Sequence, residues 1–293
     1  MIECVARSGQ RLETPLSEGQ LVWRVWGHGE PVVLLHGGYG SWLHWLRNVE
    51  DLSSRYRVVV PDMPGFGESG NLGEAASAFG VAEALLQGLN QIIGRSSSFR
   101  LVGFSFGGSI AGQLAVLSAG RAVQLVLVGA GGLRLPRPAP VDLVSWRHLK
   151  NPLEIREVHR SNLGALMIHG RGRIDDLAIT IQSMNAKRAR TKSRPISRSG
   201  ALHDVLMDLR VPLDGIWGEY DATSVGFNEA RRVFLKSLDP DAAFAIVPDA
   251  GHWVQFEAAA AFNEILCGML GGRAAVTMER RPRGASACTD GST

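Results

Sequence analysis

Arg100-Leu101-Val102-Gly103-Phe104-Ser105-Phe106-Gly107-Gly108-Ser109-Ile110-Ala111-Gly112-Gln113-Leu114-Ala115 decides the fold. Its first residues form an apolar run that suits a strand buried on both faces, and its last eight read as the opening of a helix. Between them Gly103-Phe104-Ser105-Phe106-Gly107 leaves no room for a loop, so the chain must turn at the serine itself. A turn that sharp needs small neighbours, because the serine backbone is strained and its hydroxyl must point away from both elements.

Outward from this turn, similar apolar runs recur at 21–26, 31–35, 56–61, 122–128, 211–217 and 242–247, each followed by a stop rich in glycine or proline. Helical patterns at 74–93, 106–119, 228–238 and 254–270 separate them. Strand and helix alternate, which predicts an α/β class with a mostly parallel sheet wrapped by helices. The interval 132–207 breaks the alternation: Pro136 to Pro140 lead into charged, helix-like sequence that we read as a helical lid, or cap, over the sheet. It carries 14 of the 31 Lys and Arg residues, while the rest of the chain is net acidic. The expected organisation is a core of 1–131 and 208–272, a cap of 132–207, and a frayed tail of 273–293.

With 293 residues, 45% of them hydrophobic, the chain can bury one large core, which excludes disorder along its whole length. A net charge of +3 is too small to point to a polyanionic partner. Cys4, Cys267 and Cys288 are odd in number and widely spaced, so neither a disulfide framework nor a zinc cluster is indicated. The N-terminal residues lack an apolar signal core, and no stretch of about 18 apolar residues occurs. A cytoplasmic protein without a membrane contact, cofactor or metal is expected.

A serine hydroxyl is a poor nucleophile until a base lies within hydrogen-bond reach. Of the eight histidines, His252 is best placed, in a loop after the predicted strand at 242–247 and therefore on the same sheet edge as Ser105. An acid must orient that base. Asp221 follows the strand at 211–217 and gives the order Ser, Asp, His; Asp249, Glu219 and Asp214 are the competing carboxylates. Backbone donors for a developing oxyanion are expected from Phe106 and from Gly38 in His36-Gly37-Gly38-Tyr39-Gly40.

These features occur in order with Pro61-Asp62-Met63-Pro64-Gly65-Phe66-Gly67-Glu68-Ser69, and together they resemble the α/β-hydrolase fold over about 21–270. Gly251-His252-Trp253-Val254-Gln255-Phe256-Glu257 is similar to the corresponding stretch of the meta-cleavage-product hydrolases, which split carbon-carbon bonds in vinylogous 1,5-diketones. That resemblance implies a helical lid and acidic dienoate substrates. Phe104 and Phe106 stand where those enzymes carry Asn before the nucleophile and usually Met after it, and Tyr39-Gly40-Ser41-Trp42 replaces their oxyanion loop.

Lys187, Arg188, Arg190, Lys192, Arg194 and Arg198 cluster within twelve residues. Either they form a solvated cationic face, or one or two of them, with Arg188 and Arg190 favoured, pair with a substrate carboxylate. Tyr39, Phe104 and Trp253 are further candidates for substrate contact, and Trp42, Trp45 and Trp146 for an apolar wall. No aromatic residue interleaves with the charges to stack on bases, so nucleic acid is not expected as a partner. The sequence reading is a cofactor-independent serine hydrolase of a small, largely apolar ester or activated ketone, with or without a carboxylate. Carbon-carbon cleavage of acidic dienoates is the first alternative. A ligand receptor that keeps the fold without turnover is the second.

Overall fold

The computed structural model describes residues 1–73 and 77–272. Eight strands form one sheet: β1 (Gln10–Pro15), β2 (Gln20–Trp26), β3 (Pro31–Leu35), β4 (Arg57–Pro61), β5 (Phe99–Phe104), β6 (Ala122–Val128), β7 (Leu213–Gly218) and β8 (Phe244–Val247). Their order is β1-β2-β4-β3-β5-β6-β7-β8, antiparallel at β1-β2 and β2-β4 and parallel elsewhere. The sheet agrees with the expected α/β class. β1, which the apolar pattern did not announce, is an edge strand with mostly exposed residues, and one-sided burial leaves no continuous apolar run.

The strands divide their side chains between two faces with period two. Val33, Leu35, Val59, Leu101, Leu125, Leu127 and Trp217 join one buried cluster. Val32, Leu34, Val58, Val60, Val102, Phe104, Val126, Val128 and Ile216 join the other. Each such side chain contributes about 1.5–3 kcal/mol relative to exposure, so a one-residue slip of any central strand would forfeit several of them.

The described helices are α1 (Ile2–Ser8), α2 (Val49–Ser53), α3 (Ala78–Ile92), α4 (Phe106–Leu117), α5 (Pro152–Asn162), α6 (Asp176–Arg188), α7 (Ser193–Arg198), α8 (Ala201–Asp208), α9 (Asn228–Leu238), α10 (Val254–Glu257) and α11 (Ala259–Gly272). The helix expected from 74 begins at Ala78, where the Ser77 hydroxyl accepts the Gly80 N–H at 3.0 Å and caps the first turn. Residues 74–76 and the expected tail 273–293 lie outside the described residues. α5 to α8 fall between β6 and β7, preceded by a strap, 131–151, without a regular element. Among the described residues no helix is long and apolar enough to cross a membrane.

β3 is the topological switch point: the chain leaves it for β4 on one side and returns to β5 on the other, so the loops after β3 and β5 diverge and open a crevice. The registers Leu35↔Gly103, Phe104↔Val128, Val128↔Ile216 and Gly218↔Val247 bring five carboxyl ends to one level. The segments that follow β3, β5, β6, β7 and β8 therefore share an edge.

Candidate active site

Ser105 is the first residue past β5 and caps α4, with φ 53° and ψ −114°. A non-glycine residue there costs about 1–3 kcal/mol and is held only by its surroundings. Here the Ser105 N–H donates to the Val128 carbonyl at 2.8 Å, and its own carbonyl accepts the Gly108 N–H at 3.0 Å. The neighbours must be bare: a Cβ on Gly107 would lie 2.4 Å from the Leu35 carbonyl oxygen. The hydroxyl consequently stands at the positive end of α4.

His252 comes to this hydroxyl from the loop after β8. Its Nε2 lies 2.9 Å from Ser105 Oγ, and its Nδ1 lies 2.8 Å from Asp221 Oδ2. With the Nδ1 proton directed at the carboxylate, Nε2 is left to accept from the hydroxyl, the arrangement in which an imidazole can take a proton from an attacking alcohol. Asp221 is wholly buried. Burial alone would raise its carboxyl. The charge and hydrogen bond of His252, and the bonds that Oδ1 accepts from the Thr223 N–H at 2.8 Å and hydroxyl at 2.7 Å, outweigh it and hold the group below the ordinary range.

Two of the competing carboxylates, Asp214 and Glu219, are engaged elsewhere. Asp214 accepts from Gln124 at 2.7 Å and from the Ala243 N–H at 2.8 Å inside the sheet. Glu219 accepts the Asp249 N–H at 3.1 Å. Gly38 and Phe106 both face the cavity above Ser105, with the Cβ direction of Gly38 ending 3.7 Å from Phe106 Cβ. The two residues therefore lie close together at this edge of the cavity.

A cavity of about 410 Å³, a size suited to a small organic molecule, opens between this edge and the insertion. Tyr39 and Phe104 line it, and the Phe104 ring packs on His252 at 5.0 Å between centroids. Trp253 does not. It is buried, stacked on Phe256 at 4.0 Å, and its indole N–H donates to the His44 carbonyl at 3.0 Å. Trp42 and Trp45 are likewise core residues, whereas Trp146 lines the cavity.

Arg188 and Arg190 are turned away from the cavity. α6 ends at Arg188, and the following chain runs along the loop after β4. The Arg190 N–H donates to the Gly65 carbonyl at 2.9 Å, its guanidinium reaches Asn71 Oδ1 at 3.2 Å and the Ser69 carbonyl, and Arg188 lies 3.9 Å from Glu68. The guanidinium groups at the cavity are Arg137 and Arg147 on the strap and Arg194 and Arg198 on α7, all in exposed positions. No Asp or Glu lines it among the described residues.

Several neighbours escaped the sequence reading. Thr223 had a usable signal, an Asp-x-Thr turn pattern. Gly129 had none: at φ +51°, a Cβ there would lie 3.0 Å from Asp221 Oδ2 and 3.1 Å from His252 Nδ1. His36 and His44 are buried beneath the site. Burial drives the His36 imidazole down to about 4 against the Gly37 carbonyl, which raises it; burial, then the charges of His36 and His252, drive His44 well below the usual histidine value. His36 Nε2 accepts the Met63 N–H at 2.9 Å and His44 Nδ1 accepts the Gly37 N–H at 3.2 Å, so both anchor glycine-rich turns as neutral rings. Among the described residues no group of three or more His, Cys, Asp or Glu side chains is placed to hold a metal.

Residues 32–265 match the sequence profile of the alpha/beta hydrolase family. The chain is 29% identical to the 2-hydroxy-6-oxo-6-phenylhexa-2,4-dienoate hydrolase of Burkholderia cepacia over 82% of its own length and 87% of the relative's. Among solved structures it is similar to a meta-cleavage product hydrolase from Pseudomonas fluorescens IP01, with a TM-score of 0.68, 24% identity, and coverage of 86% of this chain and 94% of that one. It is also similar to a thermophilic esterase from Thermogutta terrifontis, with a TM-score of 0.66, 22% identity, and coverage of 90% of this chain and 98% of that one.

Proposed function

The chain belongs to the alpha/beta hydrolase family, and from that premise we propose that it is a serine hydrolase whose nucleophile is Ser105. The reading rests on one observation, the continuous contact of Ser105 Oγ, His252 and the Asp221 carboxylate at 2.9 and 2.8 Å. Ser105 attacks a substrate carbonyl while His252 Nε2 takes its proton, and Asp221 stabilises the imidazolium that forms. The amides of Gly38 and Phe106 receive the oxyanion. His252 then returns the proton to the leaving group, and a water it activates releases the acyl-enzyme.

For the substrate we favour an acidic ketone of the 2-hydroxy-6-oxo-dienoate type, cleaved at a carbon-carbon bond, over a neutral ester. Two observations move the order this way: the relatives with that activity, and a cavity that pairs apolar walls with Arg137, Arg147, Arg194 and Arg198 and no lining carboxylate. A guanidinium group lining such a cavity can hold a carboxylate and thereby orient the scissile carbonyl over Ser105. In this variant the leaving group is a stabilised carbanion, and ketonisation of the substrate precedes attack.

Turnover on a panel of dienoates beside p-nitrophenyl esters, with fluorophosphonate labelling of Ser105, tests the proposal. We expect labelling and multiple turnovers on at least one dienoate. Ester turnover without dienoate cleavage would restore the ester reading. Stoichiometric binding without turnover would favour a receptor, and a protein labelled at a residue other than Ser105 would overturn the assignment.

A further inference from the structure

Glu257, the last residue of the stretch that begins at Gly251, takes no part in the chemistry above, yet its carboxylate is completely buried. A buried carboxylate is costly unless it is paired and fully hydrogen-bonded. Here Oε2 accepts the Gly251 N–H at 2.7 Å and the His169 N–H at 3.0 Å, and Oε1 accepts the Gly170 N–H at 2.8 Å. Arg173 lies 3.6 Å from Oε1 and also donates to the Asp249 carbonyl at 2.7 Å. Three of the four Glu257 partners, His169, Gly170 and Arg173, belong to the turn between α5 and α6. The fourth, Gly251, and Asp249, which Arg173 holds, lie on the N-terminal side of His252.

On the C-terminal side of His252, the Trp253 N–H donates to the Met167 carbonyl at 2.7 Å. Met167 lines the cavity. The histidine is thus held on both sides by 167–173, and the backbones are pressed together: a Cβ on Gly251 would lie 2.7 Å from the His169 nitrogen. The same turn reaches the acid. The His169 ring stacks on Tyr220 at 3.9 Å and 11°, Tyr220 precedes Asp221, and its N–H donates to the Ala250 carbonyl at 2.9 Å.

We propose that Glu257 is a positioning residue: through it, the seating of the helical insertion sets the position of His252 against Ser105 and Asp221. The proposal rests on the serine-hydrolase reading for its effect on rate, but the mechanical joint it describes does not. A substrate that displaces Met167 moves the backbone on one side of His252 directly and, through Glu257, the backbone on the other.

Glu257→Gln isolates the joint, because the amide can keep its oxygen toward Gly251 and His169 but then turns N–H groups at Gly170 and Arg173. Gly170→Pro is the second variant. Gly170 has φ −77°, which proline adopts, and the substitution deletes one donor on the insertion side; the added carbons meet the Arg173 side chain, 3.1 Å from a Cβ there, and no residue of the His252 loop directly. For both, fluorophosphonate labelling of Ser105 and kcat and KM on a small ester are measured well below Tm, together with amide hydrogen exchange.

We expect labelling and kcat to fall about 10- to 100-fold for Glu257→Gln and several-fold for Gly170→Pro, with KM nearly unchanged. Exchange should accelerate over 249–253 as well as 167–173 in both. Exchange confined to 167–173, with labelling and kcat at the parent rate, would overturn the proposal even if Tm fell. If the parent protein fails to label, it is the Ser105 reading that fails, and exchange at 249–253 in Gly170→Pro still decides the joint.

Discussion

Around Ser105 the strand ends hold buried side chains at hydrogen-bond distance from one another, whereas the insertion presents Arg194 and Arg198 to the same cavity from an exposed face of α7. The floor is rigid for a physical reason: five parallel strand ends in register, a strained serine and neutral buried histidines leave little freedom to rearrange. The roof is four helices of 6 to 13 residues behind a strap with no regular structure, and the arginines it brings to the cavity are exposed. Chemistry that requires sub-ångström placement belongs to the first kind of region, and selection among substrates to the second.

Changes to the floor should therefore affect every substrate, and changes to the roof only some. Ser105→Ala should abolish fluorophosphonate labelling and lower kcat on the order of 10⁴-fold or more for dienoates and esters alike. A substrate still turned over at the parent rate would break the comparison at its strongest point. Asp221→Asn, which keeps the shape but loses the charge facing His252, should cost on the order of 10³- to 10⁴-fold in kcat, again independent of substrate. In the roof, Arg194→Gln combined with Arg198→Gln should lower kcat/KM about 10- to 100-fold for an acidic dienoate, the worth of one charge-assisted hydrogen bond, and leave a neutral ester within about twofold. The matching pair Arg188→Gln and Arg190→Gln should show no such selectivity, because those groups bind the loop after β4. Equal losses on both substrates in the Arg194/Arg198 variant would remove the carboxylate contact.

The smallest expected effect is on acid stability, and it concerns the floor. His36 and His44 have folded-state values below the ordinary 6.5, His36 at about 4, so below pH 6.5 the unfolded chain takes up protons first. Their contribution is complete above pH 6.5 and is lost as pH falls below it, that of His36 toward about 4. Asp62 acts with the opposite sign. Burial, opposed by hydrogen bonds from the Glu68 and Trp42 amides, raises its carboxyl from 3.8 to about 6, so it gains a proton in the folded state first and offsets part of the loss between those values. Two histidines against one carboxyl leave a net fall, read as a lower urea midpoint near pH 4.5 than at pH 7. In Asp62→Asn the offset is gone and the fall should be steeper; a flat profile in both proteins would contradict the burial of neutral histidines.

Much of the floor was legible in the order of residues. A strand, a five-residue turn and a helix around Ser105 carry their own geometry, because continuous burial, lack of loop length and bare neighbours act within a few residues of one another. His252 and Asp221 were legible for a related reason: loops after parallel strands emerge on one edge. The roof was less so. Arg188, Arg190, Arg194 and Arg198 share one composition and one stretch, and which pair meets the cavity depends on where α6 ends and on the chain's course along Gly65 and Ser69. Trp253 was misplaced as a cavity residue because adjacency to His252 in sequence does not say which side of the backbone faces the core. β1 was missed because an exposed edge strand needs no apolar pattern.

The sequence by itself determined the alternation of strands and helices, the strained turn at Ser105 and the set of groups able to meet there, since these follow from local sterics and from periodic burial. Tertiary structure alone decided which arginines face the cavity, how Gly129 and Thr223 bracket Asp221, and that Glu257 joins the insertion to the His252 loop. Those outcomes depend on contacts between segments tens to hundreds of residues apart, whose pairing is selected only when the whole core has closed.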